Sequence, residues 1–234
     1  MATILPNNGW TAQRDALQTY FDQTARRAWE DLTSDAKVSG IRATVRAGRD
    51  RMRATLLSWL PDDMRRTRLL DAGCGTGALA VAAARRGADV TAIDVAGGLV
   101  AVGRDRAPAF LGHGEIDWRV GDMLDSALGQ FDHVAAMDSL IHYDASDIAT
   151  AIERVAARTS GSIVFTFAPR TPLLAAMHTA GRLFPRGDRA PAIQPVAETE
   201  LRRRLGALNG WRIGRSERIV SGFYTSQAME LVRI

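Results

Sequence analysis

The run Leu69-Leu70-Asp71-Ala72-Gly73-Cys74-Gly75-Thr76-Gly77 constrains this chain more than any other stretch. Two leucines leading into an aspartate, glycines at alternate positions and then the alanine-rich run Ala78 to Ala84 predict a buried strand, a tight turn and the start of a helix. The glycines divide the work of such a turn. One lets the chain reverse sharply, one removes the Cβ that would keep a ligand from the backbone, and one lets helix and strand pack closely. The first turn of the helix then offers N–H groups that have no partner within the helix. A unit of this kind belongs in an α/β fold and marks a place for a nucleotide-like ligand.

Two ligand classes fit the loop. Gly73, Gly75 and Ala78 satisfy the pattern G-x-G-x-x-G/A of dinucleotide sites, which alone selects weakly. Other features favour S-adenosylmethionine. Asp71 stands two residues before the first glycine, where its carboxylate can take a ligand ammonium directly or through water, and Gly77 extends the loop to G-x-G-x-G. Gly121-Asp122-Met123 follows a third predicted strand, where an adenine amino group needs an acceptor. The loop thus resembles that of class I methyltransferases. Cofactor-binding candidates are Asp71, Gly73, Cys74, Gly75 and Gly77 on the loop, Asp94 and Val95 after the second strand, Gly121, Asp122 and Met123 after the third, and Asp138 after the fourth. A glycine turn holding no ligand is the plain alternative.

A chain of 234 residues, 46% hydrophobic and 24% charged, suits one soluble α/β domain with an appendage. The sole cysteine, Cys74, excludes an intrachain disulfide framework and a thiolate zinc site, and a reducing cytoplasm is the simplest setting. No leader-like segment and no 18-residue apolar run is visible. The pI near 9.9 suggests nucleic acid, yet the formal net charge is only +4. Lys37 is the one lysine and arginine does not deprotonate, so the high pI reflects missing buffering groups more than a basic surface.

Residues 1–60 read as helical and precede the core. Tyr20, Phe21, Ala25, Ala28, Trp29 and Leu32 share one face; Ile41, Val45, Met52, Leu56, Trp59 and Leu60 continue at helical spacing after a polar turn at Thr33 to Ser39. The second helix reads as a cover for the sheet, and the first as an arm or lid over the site. Residues 61–234 then alternate strands and helices: strands at Arg68 to Asp71, Asp89 to Ile93, Ile116 to Val120, Phe131 to Met137 and Ser162 to Phe167. Asp94, seventeen residues beyond Gly77, is placed for a ribose hydroxyl or for the N-cap of the next helix. A helix at Leu173 to Phe184, stopped by Pro185, and the loop Arg186 to Pro195 make residues 170–197 an acceptor wall. A helix near Glu198 to Leu208, a strand from Trp211 and a hairpin turning at Ser221-Gly222 close the chain.

Several strings carry a narrower likeness. D-S-L-I-H-Y at Asp138 to Tyr143, F-T-F-A-P-R-T at Phe165 to Thr171, L-F-P-R at Leu183 to Arg186 and G-F-Y-T-S at Gly222 to Ser226 resemble magnesium-protoporphyrin O-methyltransferases. Tyr20-Phe21 followed by Trp29, and Ile41 to Gly48, are similar to the same family, so the likeness runs from about Thr19 to the end. It implies a mostly parallel seven-stranded sheet with helices on both faces, an antiparallel C-terminal hairpin and an N-terminal arm. It also implies an S-adenosylmethionine-dependent enzyme of (bacterio)chlorophyll synthesis that esterifies one propionate of magnesium protoporphyrin IX, leaving S-adenosylhomocysteine. Tyr20 and His142 match positions thought to serve catalysis in the family, and partnership with the magnesium chelatase large subunit is a further implication. The magnesium enters within the substrate, no protein-bound metal is expected, and an apolar tetrapyrrole is compatible with peripheral membrane contact.

A propionate is ionised at pH 7, so the chemistry needs desolvation and alignment more than a strong base. On that account His142 orients the propionate and takes a proton only from the minority acid form. Approach to the porphyrin magnesium, or simply the start of a helix, are the other readings of it. Tyr20 closes the arm and donates a hydrogen bond near the methyl, or is core. Substrate-binding candidates are Leu140, Ile141 and Tyr143 beside His142, Arg170 and Thr171 after the fifth strand, and Met177, Phe184, Arg186 and Arg189 beyond it. Arg170, Arg186 and Arg189 suit the second propionate because a guanidinium grips carboxylate with a planar fork; solvated surface is the plain reading for the last two. An RNA methyltransferase would share the loop, but no Asn/Asp-Pro-Pro-aromatic motif follows strand four and the arginines are dispersed. A nicotinamide oxidoreductase and a non-catalytic porphyrin carrier are the remaining classes.

Overall fold

The computed structural model describes residues 8–21, 40–170 and 193–234. Among them are α1 (Asn8–Thr19), α2 (Gly40–Ser58), β1 (Arg68–Ala72), α3 (Ala78–Arg85), β2 (Asp89–Asp94), α4 (Gly97–Arg106), β3 (Glu115–Val120), β4 (Phe131–Ala136), α5 (Ala145–Ala156), β5 (Thr159–Phe167), α6 (Glu198–Leu205), β6 (Trp211–Ser221) and β7 (Tyr224–Arg233). The strands form one seven-stranded sheet in the order β3-β2-β1-β4-β5-β7-β6. β1 to β5 run parallel, and the β6–β7 hairpin adds antiparallel to β5. The expected strands and closing hairpin are all present.

β1 sits at the centre because both its faces are apolar. Leu69 and Leu70 are fully buried on opposite faces, as successive strand residues must be. Leu70 joins a core of Val134, Ile163, Phe165 and Met229, covered by α5, α6 and the Trp10 and Leu17 side of α1. Leu69 joins Val90, Val164 and Ala228, covered by Met52 and Leu56 of α2 and by the alanines of α3. α5 shows how sequence sets this layering: Ile148, Ala151, Ile152, Val155 and Ala156 fall at helical spacing and are all buried. Asp144 starts that helix by accepting from the N–H groups of Ser146 and Asp147 at 2.8 and 2.9 Å.

One expectation needs correction, and one alternative is excluded. α2 is more than a cover: Met52 and Leu56 pack on the sheet, but Arg46, Arg49, Asp50 and Arg53 face a cavity. Asp94 is not an N-cap, because the cap of α4 is Ala96; both Asp94 oxygens instead accept backbone N–H groups. The arm positions Ala25, Ala28, Trp29 and Leu32, the polar turn after them, and the helix and loop placed at 173–192 lie outside the described residues.

Order β1-β4 at the centre creates a topological switch point, since the chain leaves β1 toward β2 on one side and returns as β4 on the other. The carboxyl ends of these strands therefore open a crevice, and the loops after β1, β2, β3 and β4 share that rim. Burying Leu70 in the central strand makes the fold sensitive there. Leu70→Ala should cost about 2 to 5 kcal/mol of stability, read as a lowered urea midpoint at unchanged slope.

Candidate active site

The crevice holds a cavity of about 330 Å³. Its floor is the loop that follows β1. Gly73, Gly75 and Gly77 all have positive φ, at 79°, 54° and 74°, so the whole turn is left-handed at alternate residues. Gly77 shows the packing constraint most sharply: a Cβ there would stand 2.1 Å from the Trp118 ring. Gly75 differs, because a Cβ at that position would meet nothing within 4 Å. Its N–H donates to Asp94 Oδ2 at 2.8 Å, and Asp94 Oδ1 accepts from Ala96 at 2.9 Å, so one carboxylate ties the loops after β1 and β2 together.

Asp71 enters the cavity wall from the end of β1 at 2% exposure. Burial, opposed by the hydrogen bond from Ala80 N–H at 3.0 Å and reinforced by Asp94, pushes its pKa up to about 7. Burial, and then the charge of Asp71, also raises the pKa of Cys74, so its sulfur remains a thiol. Asp122 is more heavily engaged than its sequence position suggested. Oδ1 accepts from Leu124 N–H at 2.8 Å, while Oδ2 takes Arg14 Nη1 at 3.1 Å and Trp10 Nε1 at 3.4 Å. Met123 and Asp125 give their carbonyls to the buried Arg158 guanidinium, which holds this segment from below.

The other wall is built from α1, α2 and the segment after β4. The Trp10 ring stacks on Tyr143 with centroids 4.1 Å apart, and Phe21 meets the His142 ring edge-on at 6.4 Å. His142 is buried and lines the cavity two residues before the Asp144 cap, so it does not begin α5. Asp138 pairs with Arg49 at 3.0 Å. The Ser139 hydroxyl is buried in the lining without a hydrogen-bond partner among the described residues, and such an atom calls for a polar ligand group.

The cavity thus brings together the sequence candidates Asp71, Gly73, Cys74, Gly75, Asp94, Val95, Gly121, Asp122, Met123, Asp138, His142 and Tyr143. Gly77 stands behind the loop, and Tyr20 packs its half-buried ring edge-on against Phe21 at 5.1 Å rather than entering the lining. Leu140 is core at 1% exposure, the Ile141 carbonyl accepts from Gln194 at 2.9 Å, and Arg170 is exposed with its N–H on the Val196 carbonyl at 2.8 Å. Thr171, Met177, Phe184, Arg186 and Arg189 lie outside the described residues. The sequence reading missed Trp10, Arg14 and Leu17 on α1 and the stripe Arg46, Arg49, Asp50 and Arg53 on α2. The stripe was detectable in principle: positions i, i+3, i+4 and i+7 share one helix face. Among the described residues no group of three or more His, Cys, Asp or Glu converges as a metal site.

This arrangement, with a glycine turn, an acid after β2 and a Gly-Asp pair after β3 around one crevice, fits S-adenosylmethionine, and comparison with known proteins agrees. Residues 136–233 match the family model described as the magnesium-protoporphyrin IX methyltransferase C-terminus, and residues 69–160 match a methyltransferase domain. A magnesium-protoporphyrin O-methyltransferase of Rhodobacter capsulatus is 49% identical over 218 residues, covering 93% of this chain and 95% of that one. A protein of the same name from Synechocystis is 29% identical over 93% of this chain and 95% of the relative. The crystal structure of magnesium protoporphyrin IX methyltransferase from Synechocystis PCC 6803 with bound SAH superposes with a TM-score of 0.82 at 27% identity, over 94% of this chain and 99% of that one. By sequence along nearly its whole length and by fold, the chain belongs to the magnesium-protoporphyrin O-methyltransferase family.

Proposed function

We propose that this protein transfers a methyl group from S-adenosylmethionine to a propionate carboxylate of magnesium protoporphyrin IX, giving the monomethyl ester for (bacterio)chlorophyll synthesis. The observation that carries the reading is the near-full-length identity to the Rhodobacter capsulatus protein. Incubation with magnesium protoporphyrin IX and methyl-labelled S-adenosylmethionine should give a porphyrin carrying one labelled methyl ester by mass spectrometry. Cofactor binding with no ester, both without and with the magnesium chelatase large subunit, would overturn the assigned acceptor.

The donor, when bound, supplies a methyl group made electrophilic by its sulfonium. The chain must hold it, exclude water and align the acceptor oxygen, and alignment alone can contribute about 7 to 11 kcal/mol. We assign Asp71 to the ligand ammonium, Asp94 and Val95 to the ribose side, and Gly121, Asp122 and Met123 to the adenine side. The backbone of Gly73, Cys74 and Gly75 lies against the ligand, and the Ser139 hydroxyl gains its missing partner there. Trp10, Leu17 and Phe21 form an apolar cover that keeps water from the reacting groups. His142 faces the same space and orients the propionate, which at neutral pH is already the nucleophile. Tyr20 takes the place of a hydrogen-bond donor brought in as the arm closes, and Arg170, Arg186 and Arg189 are assigned to the second propionate. Delivery by the magnesium chelatase large subunit and peripheral membrane contact belong to the same reading, since an apolar macrocycle passes poorly through water. Among the described residues no helix is long and apolar enough to cross a membrane.

Two consequences follow from these assignments. His142→Ala should lower kcat by about tenfold to a hundredfold while changing S-adenosylhomocysteine affinity by less than about twofold in a calorimetric titration. Asp71 gives a pH signature. Its carboxyl, raised to about 7 in the free protein, is protonated below that pH, whereas the ligand ammonium requires the ionised form. Affinity for S-adenosylhomocysteine should therefore weaken by about tenfold for each pH unit below neutrality and level off above it. In Asp71→Asn the affinity should be lower and its dependence on pH nearly flat.

A further inference from the structure

Four segments far apart in sequence, including Asp138's own, meet at one carboxylate, that of Asp138. This residue follows β4 and has φ 55°, one of two non-glycine residues with positive φ among those described. Such a backbone persists only where its surroundings hold it. The Asp138 N–H donates to Thr166 Oγ1 on β5 at 2.8 Å. The Tyr224 hydroxyl donates to Oδ1 at 3.0 Å and lies 3.3 Å from Oδ2, with Ser226 Oγ 3.4 Å from Oδ1. Arg49 Nη1 pairs with Oδ2 at 3.0 Å, and the Asp138 side chain is 5% exposed.

Close packing brings these groups together. A Cβ on Gly48 would stand 2.6 Å from the Tyr224 ring, so only glycine lets α2 lie against the β6–β7 hairpin at that point. Ser221 Oγ donates to the Thr44 carbonyl at 2.8 Å and fastens the same contact. The strings Ile41 to Gly48 and Gly222 to Ser226 are thus two halves of one joint. What the joint grips is the first residue of the segment that carries His142. Beyond Asp138, that segment is held by the buried Leu140, by Gln194 on the Ile141 carbonyl at 2.9 Å, and by the Asp144 cap. Burial and the neighbouring carboxylate raise the Tyr224 pKa, so its phenol stays a donor at neutral pH.

We propose that Tyr224 is a positioning residue for methyl transfer: with Arg49, Thr166 and Ser226 it fixes the Asp138 carboxylate, and through it the left-handed turn that aims His142 into the cavity. Tyr224 itself is absent from the cavity lining. The proposal rests on the role assigned to His142 above. Its test is steady-state kinetics of full-length Tyr224→Phe, His142→Ala and the double variant with magnesium protoporphyrin IX, together with S-adenosylhomocysteine titration. Tyr224→Phe should lower kcat by about tenfold, leave both KM values and the S-adenosylhomocysteine affinity within about twofold, and add less than about twofold to the loss in His142→Ala. A contact serving stability alone would not produce that non-additivity. If Tyr224→Phe folds poorly, Ser226→Ala carries the same test, with an expected loss of about threefold. With His142→Ala slow, an undiminished kcat in the single variant, or a full loss on top of His142→Ala, overturns the positioning role alone. A normal His142→Ala overturns the histidine's role and this inference with it.

Discussion

The double-sided burial of β1 is the constraint from which the site follows. A strand whose residues point alternately into two apolar layers cannot be an edge, so Leu69 and Leu70 commit it to the middle of the sheet. Once it is central, parallel neighbours must be reached by crossovers, and the direction of winding has to reverse beside it. The reversal lies between β1 and β4, and both strands end at the crevice with an acid close by: Asp71 in β1 and Asp138 just after β4. Hydrophobic layering thus decides where the polar chemistry is allowed to be.

That crevice gathers several carboxylates in a region of reduced dielectric, and each is accommodated by a different physical route. Asp94 is satisfied by two backbone N–H groups. Asp122 receives Arg14 and Trp10 from α1 as well as the Leu124 N–H. Asp138 is paired with Arg49 and hydrogen-bonded by Tyr224. Asp71 has one backbone N–H and, among the described residues, no cation, and its raised pKa is the cost of that arrangement. A cationic ligand relieves Asp71 and disturbs none of the other three, so the set of carboxylates discriminates in favour of positive charge at one end of the cavity.

Period-two and helical apolar patterns are local properties, which is why the strands, the helix near Glu198 to Leu208 and the closing hairpin were legible to within a few residues. The glycine loop was legible for the same reason: its left-handed turn needs residue types, not partners. What escaped the sequence is what depends on distant partners. Trp10 becomes part of the site by stacking on Tyr143 and reaching Asp122, and no local pattern around Trp10 announces either contact. Arg49 reads as one more arginine on an arginine-rich helix until Gly48 lets that helix approach the hairpin and Asp138 comes within reach. Asp94 was ambiguous for the opposite reason, since a favoured capping residue type and a ribose-binding acid look alike in sequence. The N–H groups of Gly75 and Ala96 that donate to it, with Ala96 as the cap of α4, exclude the capping role.

The pairing of the arginines also bears on rate. Joining a sulfonium to a carboxylate annihilates two opposite charges, so the transition state is less polar than the reactants. An unopposed cation beside the nucleophilic propionate would stabilise the ground state more than the transition state and slow the step. α2 nevertheless puts Arg46, Arg49 and Arg53 on the cavity, where they favour an anionic acceptor on approach. The fold reconciles the two demands by binding Arg49 to Asp138 and Arg53 to Asp50, at 3.0 and 2.7 Å. Arginine donors remain part of the wall, but the net field at the reacting end is reduced. The apolar rings of Trp10 and Phe21, part of the same cavity lining, then supply the environment in which losing charge is favourable.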